Sequence, residues 1–264
     1  MKIARLIVML ITVAVFSILL MGEEQDEVIR CTILFDNYPY DENLEPGWGF
    51  ACLIEGCGKT VLFDTGADGE ILLQNMQRLG IDPASPEIVV ISHHHLDHIG
   101  GLGSFLQQNA NQELYLPPSI DEERIRLYSE MGASVRVVKE PQVLIPGVCV
   151  TGPMGRHIIE QSLILETSRG LVIIAGCSHP GIVEIVRKAV ALTGENVYLV
   201  FGGFHLRSKN RREIANIIDA FHDIGVQKVG PTHCTGDQPI QAFRENYEDN
   251  FVPMGVGRVI EFPR

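Results

Sequence analysis

Basic residues are scarce in this chain: 21 Lys and Arg stand against 33 Asp and Glu over 264 residues, a formal charge of −12. Such a balance repels polyphosphate and argues against a nucleic-acid or anionic-membrane partner. Cysteine, at six residues, is too sparse to staple a domain of this size. Cys52 and Cys57 are a candidate pair if the domain is exported, which spacing alone leaves open. Only 20% of residues are charged, and Gly and Pro follow no fixed period, which excludes coiled-coil, collagen-like and low-complexity classes. A long apolar run is missing too. The charge-free stretch 6–21 reaches about 24 Å at roughly 1.5 Å per residue, short of a roughly 30 Å hydrocarbon core unless Gly22 and a snorkelling Arg5 are added. Lys2 and Arg5 before it, and Glu23, Glu24, Asp26 and Glu27 behind it, make residues 1–27 an expected export signal or membrane anchor. Leu20 and Gly22 give a poor cleavage site. The reading places the rest of the chain outside the cytoplasm, held to a membrane through 6–22 if the segment is kept.

What is present is a foldable core, since 45% of residues are apolar. No Pro/Ser-rich or single-charge linker interrupts 28–264, which is expected to be one domain. Period-two and short apolar runs predict strands at 28–35, 50–55, 60–63, 88–91, 114–116, 135–138, 163–166, 171–174, 197–201 and 226–229. Helical spacing predicts helices at 70–79, 101–108, 122–131 and 182–192, and from the capping-box-like Asn210/Glu213 to Phe221. Strands early and late, each set interleaved with helices, predict an α+β fold of two mixed sheets with helices outside.

Chemistry concentrates in Ser92-His93-His94-His95-Leu96-Asp97-His98-Ile99-Gly100-Gly101, directly after the apolar run 88–91. In an extended segment alternate side chains share a face, so His93 and His95 can meet one ion while His94 faces away. A turn after Leu96 lets Asp97 and His98 reach a second. Four histidines and an acid at a strand end are costly to desolvate without a purpose.

The pattern His93-x-His95-x-Asp97-His98 resembles the signature of the metallo-β-lactamase superfamily, whose four-layer αββα sandwich agrees with two sheets. Phe63-Asp64-Thr65-Gly66, Gly176-Cys177-Ser178-His179-Pro180-Gly181, Gly202-Gly203-Phe204-His205-Leu206 and Pro231-Thr232-His233-Cys234-Thr235-Gly236 extend the likeness, as does Asp36-Asn37-Tyr38. Together they resemble a subgroup of superfamily hydrolases that includes a pterin-condensing synthase of methanopterin biosynthesis. The resemblance implies that His93, His95 and His179 hold one metal and that Asp97, His98 and His233 hold the other. Zinc is the first expectation, with manganese or iron as alternatives. His179 and His233 follow strand ends, where an α/β architecture presents its sites.

Two departures bear on the chemistry. Where many members carry a metal-bridging Asp, this chain has Gly176-Cys177; Cys177 is then a thiolate ligand or a small buried neighbour. Where the subgroup leads one to expect His-Gly-Leu-Ser, Pro46-Gly47-Trp48-Gly49 stands. Asp64 is either an acceptor behind a ligand imidazole or an Asx turn. His205 is a candidate substrate-side or outer-shell group. His157 and His222 are read as bland.

The function expected is an enzyme: a metal-dependent hydrolase in which a hydroxide at a dinuclear centre, oriented by Asp97, attacks a small anionic ester or phosphoester. A transferase like the pterin-condensing synthase is the alternative, and a non-catalytic metal-bound ligand-binding module the third. Two divalent ions keep a net positive charge in an acidic protein, so the substrate should be an anion. Arg207, Lys209, Arg211 and Arg212 gather at a predicted helix start, and Arg207 and Arg211 are expected to bind that anion there.

Overall fold

The computed structural model describes residues 28–264. The expected export signal or anchor at 1–27 lies outside the described residues. Among the described residues no helix is long and apolar enough to cross a membrane.

Two sheets face one another. The first is built of β1 (Val28–Asp36), β2 (Phe50–Glu55), β3 (Val61–Phe63), β4 (Ile88–Val90), β5 (Glu113–Leu116), β6 (Ser134–Val137) and β13 (Val259–Pro263), in the order β13-β1-β2-β3-β4-β5-β6. β13, β1, β2 and β3 pair antiparallel, whereas β3 to β6 run parallel. Parallel neighbours need crossovers, and here the long ones are helical: α1 (Gly69–Arg78), then α2 (Leu96–Ile99) with α3 (Leu102–Gln108), and α4 (Glu122–Glu130). The second sheet has the order β12-β11-β10-β9-β8-β7. Its strands are β7 (Gln142–Ile145), β8 (Val148–Val150), β9 (Leu163–Thr167), β10 (Gly170–Ala175), β11 (Val197–Gly203) and β12 (Lys228–Thr232). β10, β11 and β12 are parallel and are joined by α5 (Ile182–Thr193) and α6 (Arg211–Ile224), with α7 (Asp237–Tyr247) following β12.

The burial pattern explains the layering. In β1 the exposed Val28 and Arg30 alternate with buried Ile29 and Cys31, after which every residue to Asp36 is buried because both faces are covered. Ile33, Phe50, Phe63, Val172, Ile174 and Phe201 interdigitate between the sheets. Leu62, Val89, Leu72, Met76 and Phe105 pack the first sheet against its helices, and Ile173, Val200, Ile185, Ile218 and Phe243 do so for the second. The result is the αββα sandwich.

The sequence reading misses β7, β8, α7 and β13. β7 and β8 are only four and three residues long, and β7 is largely half-buried, so neither carries a readable period. α7 has Pro239 in its first turn, where a missing N–H costs nothing because no intrahelical acceptor awaits it. β13 ends on Pro263 at a sheet edge. The late strand expected at 226–229 begins instead at Lys228. Gly225, at φ +86°, ends α6, and the Val226 N–H closes back on the Phe221 carbonyl at 2.9 Å, so Val226 belongs to the helix end. All six cysteines are free, Cys52 and Cys57 included.

Candidate metal centre

The carboxyl ends of the parallel strands open on one edge of the sandwich, and the candidate residues stand there. β3 delivers Asp64, β4 delivers Ser92 to His95, and α2 carries Asp97 and His98. From the second sheet, β10 delivers Cys177 and His179, β11 delivers His205, and a 3-10 turn after β12 carries His233. Four non-glycine residues here have left-handed backbone: Asp64 (φ +59°), Ser178 (+63°), His205 (+54°) and His233 (+51°). Such conformations cost about 1–3 kcal/mol each and persist where the surroundings impose them, commonly at functional sites.

Two donor groups adjoin. His93, His95 and His179 form the first, their ligand-capable atoms within 4.8 Å of one another. His93 Nε2 lies 3.1 Å from His95 Nδ1, and His179 Nε2 is buried without a hydrogen-bond partner. Burial, then the neighbouring imidazoles, depresses the basicity of His93 far below the usual range and brings His179 down to about 4. These rings are therefore neutral, the form in which imidazole binds metal. His94 belongs to neither group.

Asp97, His98, Cys177 and His233 form the second group. Asp97 Oδ2 lies 3.3 Å from His233 Nε2 and 3.7 Å from His98 Nε2, which is itself 3.2 Å from Cys177 Sγ. Burial opposes ionisation of Asp97, but the His233 hydrogen bond and the charges of His98 and His233 outweigh it and hold the carboxyl below its usual range. Burial likewise works against protonated His98, yet the Asp64 carboxylate raises it to about 9. A cation on Nε2 would take over that proton's part. The Cys177 thiol is pushed well up by its hydrogen bond to Cys234 and by burial. In Cys234 burial acts in the same direction, but hydrogen bonds from Cys177 and His205 overcome it and pull the thiol down.

Proton placement follows from the partners. Asp64 Oδ2 accepts from His98 Nδ1 and from Ser92 Oγ, both at 2.7 Å, while Oδ1 accepts from the Ser92 backbone N–H at 2.7 Å. With its one proton given to Asp64, the Ser92 hydroxyl can only accept from His93 Nδ1, at 2.9 Å. His233 Nδ1 lies 2.9 Å from the Asn37 amide oxygen, which can only accept. His93, His98 and His233 are thus all protonated on Nδ1, so Nε2 is the atom each offers to a cation, which on His98 would displace the second proton. This donor chemistry fits a divalent ion in each group. Asp64 therefore stands behind the imidazoles of both groups and makes no Asx turn. Ser92, Asn37 and the buried Glu160 carry no role in the sequence reading. Glu160 accepts the backbone N–H groups of Cys177, Ser178 and His179 at 2.8–2.9 Å. It lies in an irregular segment with no motif to point at it.

Trp48, the chain's single tryptophan, leans over the second group. Its Nε1–H donates to Asp97 Oδ2 at 3.1 Å and its ring centroid is 5.1 Å from that of His233. The loop is fixed by Gly49, where a Cβ would stand 2.5 Å from the Asp97 carbonyl oxygen. Trp48, His205, Arg207, Ser208 and Cys234 line a cavity of about 410 Å³ beside the centre. The Arg207 guanidinium is 6.0 Å from the Trp48 ring centroid. Arg211 does not join it: it lines a separate cavity between α6 and α7 with Ile214, Asp219 and Gln241. At the start of α6, where the anion dock is expected, the helix is capped from within. The Asn210 side chain already accepts from the Arg212 and Glu213 N–H groups, and Glu213 closes the capping box and pairs Lys209.

Two mixed sheets between helices, with a histidine-rich centre at their shared edge, define the class of metal-binding αββα enzymes. The chain belongs to the metallo-beta-lactamase superfamily, whose family profile matches residues 45–240. The fold binds divalent metal, and donor groups for it are present. The chain is 29% identical to the 7,8-dihydropterin-6-methyl-4-(beta-D-ribofuranosyl)-aminobenzene-5'-phosphate synthase of Methanocaldococcus jannaschii, with 90% of this chain and 97% of that protein covered. It is 28% identical to Tm1679, whose crystal structure is described as that of a metal-dependent hydrolase of the beta-lactamase superfamily; the TM-score is 0.76, covering 89% of this chain and 100% of that one. Human tRNase Z, short form, shares the fold at a TM-score of 0.61 and 15% identity, with 89% of this chain and all of that one covered.

Proposed function

We propose that the chain is a hydrolase of small anionic esters or phosphoesters. In this reading His93, His95 and His179 hold one divalent ion, and Asp97, His98 and His233 hold a second with Cys177 alongside. The observation that carries it is the pair of adjoining donor groups whose Nδ1 protons are tied down by Ser92, Asp64 and Asn37. Zinc suits this mixture of imidazole, carboxylate and thiolate, with manganese or iron as alternatives. When bound, such ions acidify water and polarise the ester's oxygen. Asp97, held ionised, orients the attacking water and accepts its proton. The Trp48 indole N–H fixes the rotamer of that carboxylate, and Arg207 meets the anionic end of the substrate in the cavity. The site is proposed to work outside the cytoplasm, on the strength of Lys2 and Arg5 ahead of the apolar run 6–21; a reporter fused after Arg264 tests this, and activity in a cytoplasmic format would refute it.

Full metal-dependent turnover of a phosphodiester panel by the folded Asp97→Asn variant would overturn the assignment of Asp97; loss of turnover supports it. The synthase among the relatives favours a second reading, a transferase that joins a pterin to a ribofuranosyl-aminobenzene phosphate. Product analysis after incubation with both precursors distinguishes the two. Trp48 supports the hydrolase reading, because it places an indole over the centre where the subgroup pattern has Leu.

A further inference from the structure

Cys234 has no part in the two-ion centre. It is buried on the 3-10 turn after β12, its ligand-capable sulfur within 4.8 Å of those of Cys177 and His205, and the three donors come from three separate elements. The backbone makes room for them. A Cβ at Gly203 would stand 2.7 Å from Cys234 Sγ and 2.4 Å from the Gly176 carbonyl oxygen, so this strand end must be glycine. His205 is held at φ +54°, which costs energy in a residue other than Gly, Asn or Asp. That strained turn turns its ring toward the thiols, with the ring centroid 4.5 Å from that of His179. Thr235 Oγ1 accepts the Phe204 N–H at 2.9 Å and ties the turn bearing Cys234 to the one bearing His205.

We propose that Cys177, His205 and Cys234 form a third cation site, sulfur-rich, for a thiophilic divalent ion such as zinc or cadmium. Two thiolates and an imidazole are a donor set that selects zinc-like ions over hard ones. Each thiol releases its proton on ligation, so the thiolates offset the ion's charge and Arg207 in the same cavity is not strongly repelled. His205 and Cys234 line the cavity of about 410 Å³, through which an ion enters and from which a further ligand reaches it. Cys177 has lone pairs for two ions and joins this site to the second group. The inference rests on the proposed function only through that shared sulfur.

The test uses the full chain stripped with a chelator and refilled with cobalt(II), reading cobalt per chain and the near-ultraviolet sulfur-to-cobalt charge-transfer band. His205→Asn is the mild variant, because Asn adopts the left-handed backbone readily, and near-ultraviolet circular dichroism verifies folding of each variant. The wild type should bind one cobalt more than either His205→Asn or Cys234→Ser, and Cys234→Ser should lose about two thirds of the band, two of the three sulfur-to-cobalt bonds going with the third ion. A band and cobalt content unchanged in both variants would show Cys177 serving the second ion alone; the proposed function would stand and the third site would fall. Two bound ions with no sulfur band would overturn it in the same way. Binding of no cobalt by the wild type would remove both readings.

Discussion

Asp64→Asn changes one atom and should weaken both metal groups. The amide oxygen can keep the Ser92 backbone bond at the Oδ1 position, but the amide nitrogen then replaces Oδ2, which accepts from His98 Nδ1 and Ser92 Oγ at 2.7 Å each. A donor there forces His98 Nδ1 to accept, moving its proton to Nε2, the atom that would face an ion. The Ser92 hydroxyl must accept from the same amide, which frees its proton for His93 Nδ1 and sends the His93 proton to Nε2 as well. Flipping the amide sets its NH₂ against the Ser92 backbone N–H, leaving a buried donor unsatisfied at about 1–3 kcal/mol. Each group therefore loses one bare nitrogen. Losing an outer-shell partner typically weakens metal binding roughly ten- to a hundred-fold, or about 1.4–2.8 kcal/mol at about 1.36 kcal/mol per decade. The backbone should survive, because Asn tolerates φ +59° as well as Asp. Competition against a chromophoric chelator measures affinity, and ¹⁵N-edited spectra of the imidazoles report the tautomers. Wild-type affinity at both groups, or unchanged tautomers in a weakened variant, would refute the reasoning.

Asn37→Ala frees His233 Nδ1 and should weaken the second group by roughly ten-fold or more while sparing the first, seen as one loosened ion in the same competition. Arg207→Ala should raise KM for an anionic ester by roughly 1.5–3 kcal/mol in binding terms and leave a neutral ester of equal size unaffected, whereas Arg211→Ala should change neither. Equal effects of the two variants in that kinetic comparison would contradict the separation of the cavities. Asn210→Ala removes the acceptor at the start of α6 and should lower stability by about 0.5–2 kcal/mol in urea unfolding, with metal content unaltered; an unmoved midpoint would show the cap to be unimportant.

Much of this arrangement was legible because the chemistry is local. Residues 92–98 carry five polar donors on one strand end, and apolar runs such as 171–174 and 197–201 read as strands, which pair in parallel in the structure. The partners behind the donors were not legible, because they are brought in by the fold. Asn37 is 196 residues from His233, and Glu160 reaches the backbone of Cys177 to His179 from a segment without regular structure. Short β7 and β8 gave no period, and the Pro239 signal hid α7. Arg207 and Arg211 are four residues apart in sequence, yet one borders the cavity beside the metal centre and the other the groove between α6 and α7, a separation no spacing argument could make.

The central claim is that the two adjoining donor groups hold divalent ions that make this chain a hydrolase. Titrating zinc or manganese into the chelator-stripped protein, with ions per chain and phosphodiester turnover read on the same samples, tests it most directly. Turnover should be absent in the stripped protein, rise as both groups fill, and fail in Asp97→Asn at any metal concentration. Turnover that persists without metal, or stays absent when both groups are filled, would contradict it.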